Sequence, residues 1–196
     1  MFYRFVRRLF LLIFSVFFRW QVKGRENIPS EGPFILCANH ISWMDPILLG
    51  CLTGRVVRFM AKEELFQRPL SRIVVKGLHA FPVKRQAADR RAIKTALSIL
   101  VSGQGVGIFP EGTRSKTKEL LPPLPGVGFL AVKSEAPVVP VAICGPYRLL
   151  RPLRVVIGKQ LTFPDYYGVK VKSEQLEEVA AGIMAEIARL HRSQKG

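Results

Sequence analysis

Phe34-Ile35-Leu36-Cys37-Ala38-Asn39-His40-Ile41-Ser42-Trp43-Met44-Asp45-Pro46 begins with five apolar residues and then turns polar. A compact apolar run of that length, preceded by the turn Pro29-Ser30-Glu31-Gly32-Pro33, reads as a buried strand. Such a strand delivers Asn39 and His40 to its C-terminal end, where open α/β sheets hold their ligands. Asp45 and Pro46 carry a helix-start signal, aspartate as cap and proline at the first helical position, so Pro46 to Leu52 is expected to be helical. On one continuous helix His40 and Asp45 would stand about 140° apart. A turn between them brings the two side chains together.

The same pattern of strands and helices continues outward. Gln21 to Ile28 reads as a short extended segment, and Val56–Ala61, Phe81–Val83, Val106–Phe109, Val138–Ile143 and Leu153–Ile157 as strands. Pro69–Val75, Gln86–Ser102 and Gly126–Lys133 read as helices, and Leu176, Val179, Ala180, Ile183, Ile187 and Leu190 define an amphipathic helix near the C-terminus. Interleaved strands and helices predict an α/β fold, a mixed and mainly parallel central sheet with flanking helices. A chain of 196 residues suits one such domain, assigned to 21–196.

Residues 1–20 are set apart by composition. They hold eight large aromatics, Arg4, Arg7, Arg8 and Arg19, and no acid. The apolar stretch Leu9–Phe18 is much shorter than the roughly 20 residues needed to cross a bilayer. We expect an amphipathic membrane-interface helix with rings in the lipid and arginines at the phosphates; the competing expectation is a helix packed on the domain's own core. The flank Arg19-Trp20-Gln21-Val22-Lys23 lacks a secretory cleavage pattern. Cys37, Cys51 and Cys144 have no metal-ligand spacing and read as buried thiols of a reducing compartment. The expected location is the cell membrane, peripheral or monotopic on its cytoplasmic face. Thirty Lys and Arg against fourteen Asp and Glu give a net charge of +16, which favours an anionic partner. Nucleic acid is not the expected one, since the basic residues are scattered and no zinc finger, basic zipper or RNA-binding signature occurs.

His40 and Asp45 form a candidate general base and its orienter, and Asp45 alone is equally read as a helix cap. No Gly-x-Ser-x-Gly elbow supplies a nucleophile, so the base would act on a substrate hydroxyl. A second polar segment, Phe109-Pro110-Glu111-Gly112-Thr113-Arg114-Ser115, follows another buried strand. Arg114 offers a planar fork for phosphate, Thr113 and Ser115 offer hydroxyls, and Gly112 admits close backbone approach. Glu111 repels phosphate and is read as aligning Arg114 or a substrate hydroxyl. Gly103-Gln104-Gly105-Val106-Gly107 precedes its strand, the wrong order for a dinucleotide loop.

Together these segments resemble the glycerolipid acyltransferase family, most closely the bacterial 1-acylglycerol-3-phosphate acyltransferases. Asn39, His40 and Asp45 match its first block and Phe109 to Arg114 its phosphate block. Phe59 to Leu65 with Pro69, Phe81 to Arg85, and Val139-Pro140-Val141 match three weaker blocks. The resemblance implies that His40 deprotonates the free hydroxyl of lysophosphatidic acid while Asp45 fixes its tautomer. It implies that Glu111, Gly112, Thr113, Arg114 and Arg85 locate the phosphate. The acyl donor would be acyl-CoA or acyl-carrier protein, no metal or cofactor is implied, and the product would be phosphatidic acid. Glycerol 3-phosphate and other lysophospholipids are the alternative acceptors. His79 departs from the family where glycine is usual, and Lys84 where an acidic or neutral residue is usual.

Overall fold

In a computed structural model of the chain, residues 2–84, 89–115, 117 and 119–194 are described. In order they form α1 (Phe2–Phe17), β1 (Gln21–Lys23), β2 (Phe34–Ala38), α2 (Asp45–Leu52), β3 (Val57–Lys62), α3 (Pro69–Gly77) and β4 (Phe81–Val83). α4 (Arg90–Val101), β5 (Gly105–Ile108), α5 (Gly126–Ser134), β6 (Val138–Cys144), β7 (Arg154–Ile157) and α6 (Ser173–Arg192) follow. Among the described residues the strands make one seven-stranded sheet in the order β1-β7-β6-β2-β5-β3-β4. Neighbours pair in parallel except β6 with β7, so β1 and β7 run against the other five. The sheet is mixed and mainly parallel, as the interleaved sequence pattern predicted.

Both faces of the sheet are covered, which is why the central strands are apolar at every position. Along β2 the side chains alternate: Ile35 and Cys37 join a core with α4, α5 and α6, while Phe34, Leu36 and Ala38 join a core with α1 and α2. The glycines of β5 lie under rings. A Cβ on Gly105 would strike Phe34, and one on Gly107 would strike Phe59. Space for aromatic side chains therefore accounts for the Gly-x-Gly run that superficially suggests a nucleotide loop.

Two local details differ from the sequence expectations. The segment after β1 winds into a 3₁₀ turn over Arg25–Asn27 instead of staying extended to Ile28. α4 begins at Arg90 because the Asp89 carboxylate accepts the Arg91 and Ala92 amides; Gln86 to Ala88, the expected first turn, lie outside the described residues. As expected, Cys51 lies in the helix that follows Asp45, α2, and all three cysteines are buried. Burial pushes the Cys37 thiol up, and burial takes Cys51 to about 11, so both stay protonated near neutrality.

The N-terminal helix has two apolar sides. Phe14 is fully buried, and Phe10, Leu11, Phe18 and Trp20 pack against the same core, so much of the aromatic content expected in lipid faces the domain. On the outside Phe2, Phe5, Leu9, Leu12 and Val16 are exposed at alternating intervals of three and four, with Phe5 and Leu12 more than 60% exposed. Arg4, Arg8 and Arg19 are also exposed. The Phe2 ring covers Gly77, at the end of α3, whose Leu70, Ile73 and Val74 are exposed as well. No helix among the described residues is long and apolar enough to cross a membrane.

Candidate active site

Main-chain pairing stops at the C-terminal ends of β2, β5 and β6, and side chains take it over. Asn39 imitates one more peptide unit: its Oδ1 accepts the Ile143 amide at 2.8 Å and its Nδ2 donates to the Ile143 carbonyl at 3.1 Å. His40 is held on the other flank. Its backbone N–H donates to Glu111 Oε1 at 2.8 Å, and its carbonyl accepts the Ser115 amide at 2.9 Å. The two polar segments recognised in the sequence thus meet at the main chain of His40.

The side chain is fixed as firmly. His40 Nδ1 lies 2.7 Å from Asp45 Oδ2, and the imidazole stacks on Phe109 with ring centroids 4.0 Å apart. A carboxylate facing Nδ1 places the proton on that nitrogen and leaves the lone pair on Nε2. Nε2 makes no hydrogen bond among the described residues. His40 is 5% exposed and Asp45 is fully buried, so the charge of Asp45 acts with little solvent screening.

Asp45 does not cap α2 in the expected way. It occupies the first turn itself, and its Oδ2 turns back to accept the Ile41 and Ser42 amides, both at 2.7 Å, together with the imidazole. Those two amides create the turn that brings His40 and Asp45 together. The remaining oxygen, Oδ1, accepts the Tyr147 hydroxyl at 2.6 Å. Burial first, and the Asp45 carboxylate second, push that phenol above its ordinary range, so it stays a donor. Tyr147 carries no sequence signal: it follows β6 in an irregular turn, 102 positions after Asp45.

Glu111 is 5% exposed, and both its oxygens are engaged, Oε1 by His40 and Oε2 by the Leu121 amide at 3.1 Å. Burial raises its pKa, against the lowering effect of those two amides. Gly112 adopts φ +67°, and a Cβ there would meet Leu124, so this turn requires glycine on both counts. Thr113 and Arg114 are exposed, and Arg114 has no ion pair or hydrogen bond among the described residues. The Ser115 hydroxyl is sealed from solvent without a partner. Arg85 lies outside the described residues. The structure therefore joins His40, Asp45, Glu111 and the 111–115 backbone, and leaves Arg114 an exposed cation unpaired among the described residues.

His79, the departure from glycine, adopts φ +57°. A left-handed backbone is the conformation glycine takes without cost, and here the imidazole packs on the Tyr3 ring at 5.4 Å. Burial, with Arg58 adding to it, lowers its pKa.

Known proteins resemble this chain in sequence and in structure. The family model described as Acyltransferase matches residues 19–144. A 1-acyl-sn-glycerol-3-phosphate acyltransferase of Bacillus subtilis is 33% identical over 96% of this chain and 96% of its own. One from Streptococcus pneumoniae is 27% identical, covering 100% of this chain and 75% of its own. The crystal structure of the 1-acyl-sn-glycerophosphate acyltransferase of Thermotoga maritima superposes with a TM-score of 0.71 at 30% identity, covering 96% of this chain and 78% of that one. With its fold, its site and these likenesses in agreement, the chain belongs to the acyltransferase family and is an enzyme acting on glycerophospholipid precursors.

Proposed function

We propose that the enzyme transfers an acyl group from acyl-CoA or acyl-carrier protein to the free hydroxyl of 1-acylglycerol 3-phosphate, forming phosphatidic acid. The observation carrying this reading is an imidazole with Nδ1 engaged by a buried carboxylate, joined through its own main chain to the segment that carries Arg114, with neither Nε2 nor Arg114 partnered among the described residues. Nε2 of His40 accepts the hydroxyl proton as the oxygen attacks the thioester carbonyl. The carbon–sulfur bond then breaks, and the imidazolium returns the proton to the departing thiolate. Asp45 keeps the tautomer and stabilises the imidazolium, with Tyr147 holding the far oxygen of that carboxylate. Arg114, with Thr113 and the Gly112 backbone, receives the acceptor phosphate; Arg85 is assigned to the same task. Glu111 serves phosphate binding indirectly, by bracing the loop that carries Arg114 against His40.

The bilayer supplies the acceptor. We place α1 in the interface of one leaflet, its outer stripe in the acyl region and Arg4, Arg8 and Arg19 at anionic phosphates. The enzyme is then peripheral or monotopic on the cytoplasmic face of the cell membrane. Residues 1–20 and 21–196 are divided by role, since the inner side of α1 belongs to the core of the acyltransferase domain. For that reason, deleting residues 1–20 would strip the core as well as the membrane contact. Phe5→Ser with Leu12→Ser tests the contact alone: vesicle partitioning should fall while thermal unfolding stays within about 0.5 kcal/mol of wild type. Undiminished partitioning would count against the interfacial placement.

Purified enzyme assayed with both thioesters against lysophosphatidic acid, glycerol 3-phosphate and neutral lysophospholipids tests the reaction. Phosphatidic acid should form from lysophosphatidic acid at the highest kcat/KM. A folded His40→Ala variant that retained near-normal transfer would sink the mechanism.

A further inference from the structure

The turn from β6 to β7 carries a second cationic feature at the active-site edge. Arg148, Arg151 and Arg154, with His191 and Gln194 at the end of α6, line a cavity of about 450 Å³. Among the described residues no acidic side chain lines it, and none of the three arginines has a carboxylate partner. One donor is used internally, Arg154 Nη1 to the Gln194 carbonyl at 3.3 Å. Three like charges around one hollow repel each other, and an anion with several oxygens relieves that repulsion by accepting from more than one guanidinium.

The turn is built to hold this shape. Gly145 has φ +107° and Leu150 φ +59°, the latter a costly conformation for a residue with a side chain. It is held because Leu150 N–H donates to the Phe17 carbonyl at 2.7 Å and Leu153 N–H to the Phe18 carbonyl at 3.1 Å. Its position is also informative. Tyr147 reaches Asp45, and the next residue, Arg148, lines the cavity. The cavity includes the end of α6, on the opposite face of the sheet from α1.

We infer that this cavity binds the phosphate-bearing end of the acyl donor's carrier, while the thioester reaches past Tyr147 to His40. The inference rests on the proposal that the donor is a carrier thioester. The membrane acceptor arrives on the α1 side, and a water-soluble donor arrives on the α6 side. The recognised chemistry is phosphate, present in coenzyme A and in the phosphodiester that links the pantetheine arm to an acyl-carrier protein. Both sources meet the three arginines at one end and present a thioester at the other.

The test combines Arg148→Gln, Arg151→Gln and Arg154→Gln in one variant, with Arg151→Gln alone as the milder version should the triple fail to fold. Arg90→Gln, Arg91→Gln and Lys94→Gln, at exposed positions of α4, together control for net charge. Equilibrium binding of coenzyme A and of the phosphopantetheinylated carrier protein is measured, then KM for each acyl thioester and for lysophosphatidic acid. We expect donor-side binding to weaken and donor KM to rise at least about ten-fold in the triple variant, and by a smaller factor in the single one, with acceptor KM and saturating kcat changed less than about two-fold. A loss confined to one carrier identifies the source of the phosphate and supports the site. Binding of neither carrier to wild type, undiminished binding in the folded variants, or a loss of vesicle partitioning with donor KM unchanged overturns it. Wild type that binds a carrier through these arginines yet forms no phosphatidic acid would refute the proposed reaction and leave the cavity assignment standing.

Discussion

The corner at the end of β2 and the loop at the end of β5 are both polar, both follow buried strands, and differ in how their groups are satisfied. At His40 and Asp45 four donors converge on one carboxylate, from the imidazole, two amides and a phenol. Three residues beyond Glu111, Arg114 is exposed with none of its donors taken among the described residues. The contrast separates two tasks. A group that moves a proton gains from being fixed before substrate arrives, whereas a group that receives a charged ligand must keep its donors free.

That contrast is sharpened by four substitutions. His40→Ala should reduce kcat the most, by about 10³-fold, with the fold retained in thermal unfolding. Asp45→Asn comes next. An amide cannot accept from every donor that now meets the carboxylate, so transfer should fall about 10²-fold and stability by about 2 kcal/mol, read by denaturant titration. Tyr147→Phe should lower kcat about ten-fold at unchanged acceptor KM, since it removes one bond to an ionised group and leaves the ring in place. Because burial and Asp45 hold the phenol protonated, the variant and wild type should share the same alkaline limb in a pH–rate profile. Arg114→Ala should have the smallest effect on kcat, within about three-fold, and raise acceptor KM about ten-fold. Should Arg114→Ala cost stability while leaving acceptor KM alone, the loop would be a second brace and the comparison would collapse.

The two ends of this comparison were unequally legible in the sequence. β2, β5 and the pair His40–Asp45 were readable because an apolar run that stops at polar residues marks a strand end, and because two blocks recur in a known family. The manner of closure was not. Asp45 precedes proline, as a cap does, yet its carboxylate turns back to Ile41 and Ser42, a choice made by the tertiary position of His40. Glu111 and Asn39 lie in recognised blocks, but their partners, the His40 amide and Ile143, are 71 and 104 positions away. Tyr147 belongs to no periodic segment, and only the fold shows that β6 ends beside α2. On α1 the packed expectation describes the inner side and the outer stripe is exposed, because apolar residues on two sides look alike in a sequence and are told apart only by what covers one of them.

The packing of α1 also fixes an order of events during synthesis. Its inner side shares a core with Val139, Val141, Ile143, Leu153 and Val155, and β1 pairs with β7, all of them more than a hundred residues later in the chain. A helix made before the strands that cover it therefore waits with both apolar sides uncovered until those strands have been made. On the proposed interfacial placement a bilayer shelters it during that interval, so the outer stripe would protect the nascent chain from aggregation before it serves the finished enzyme.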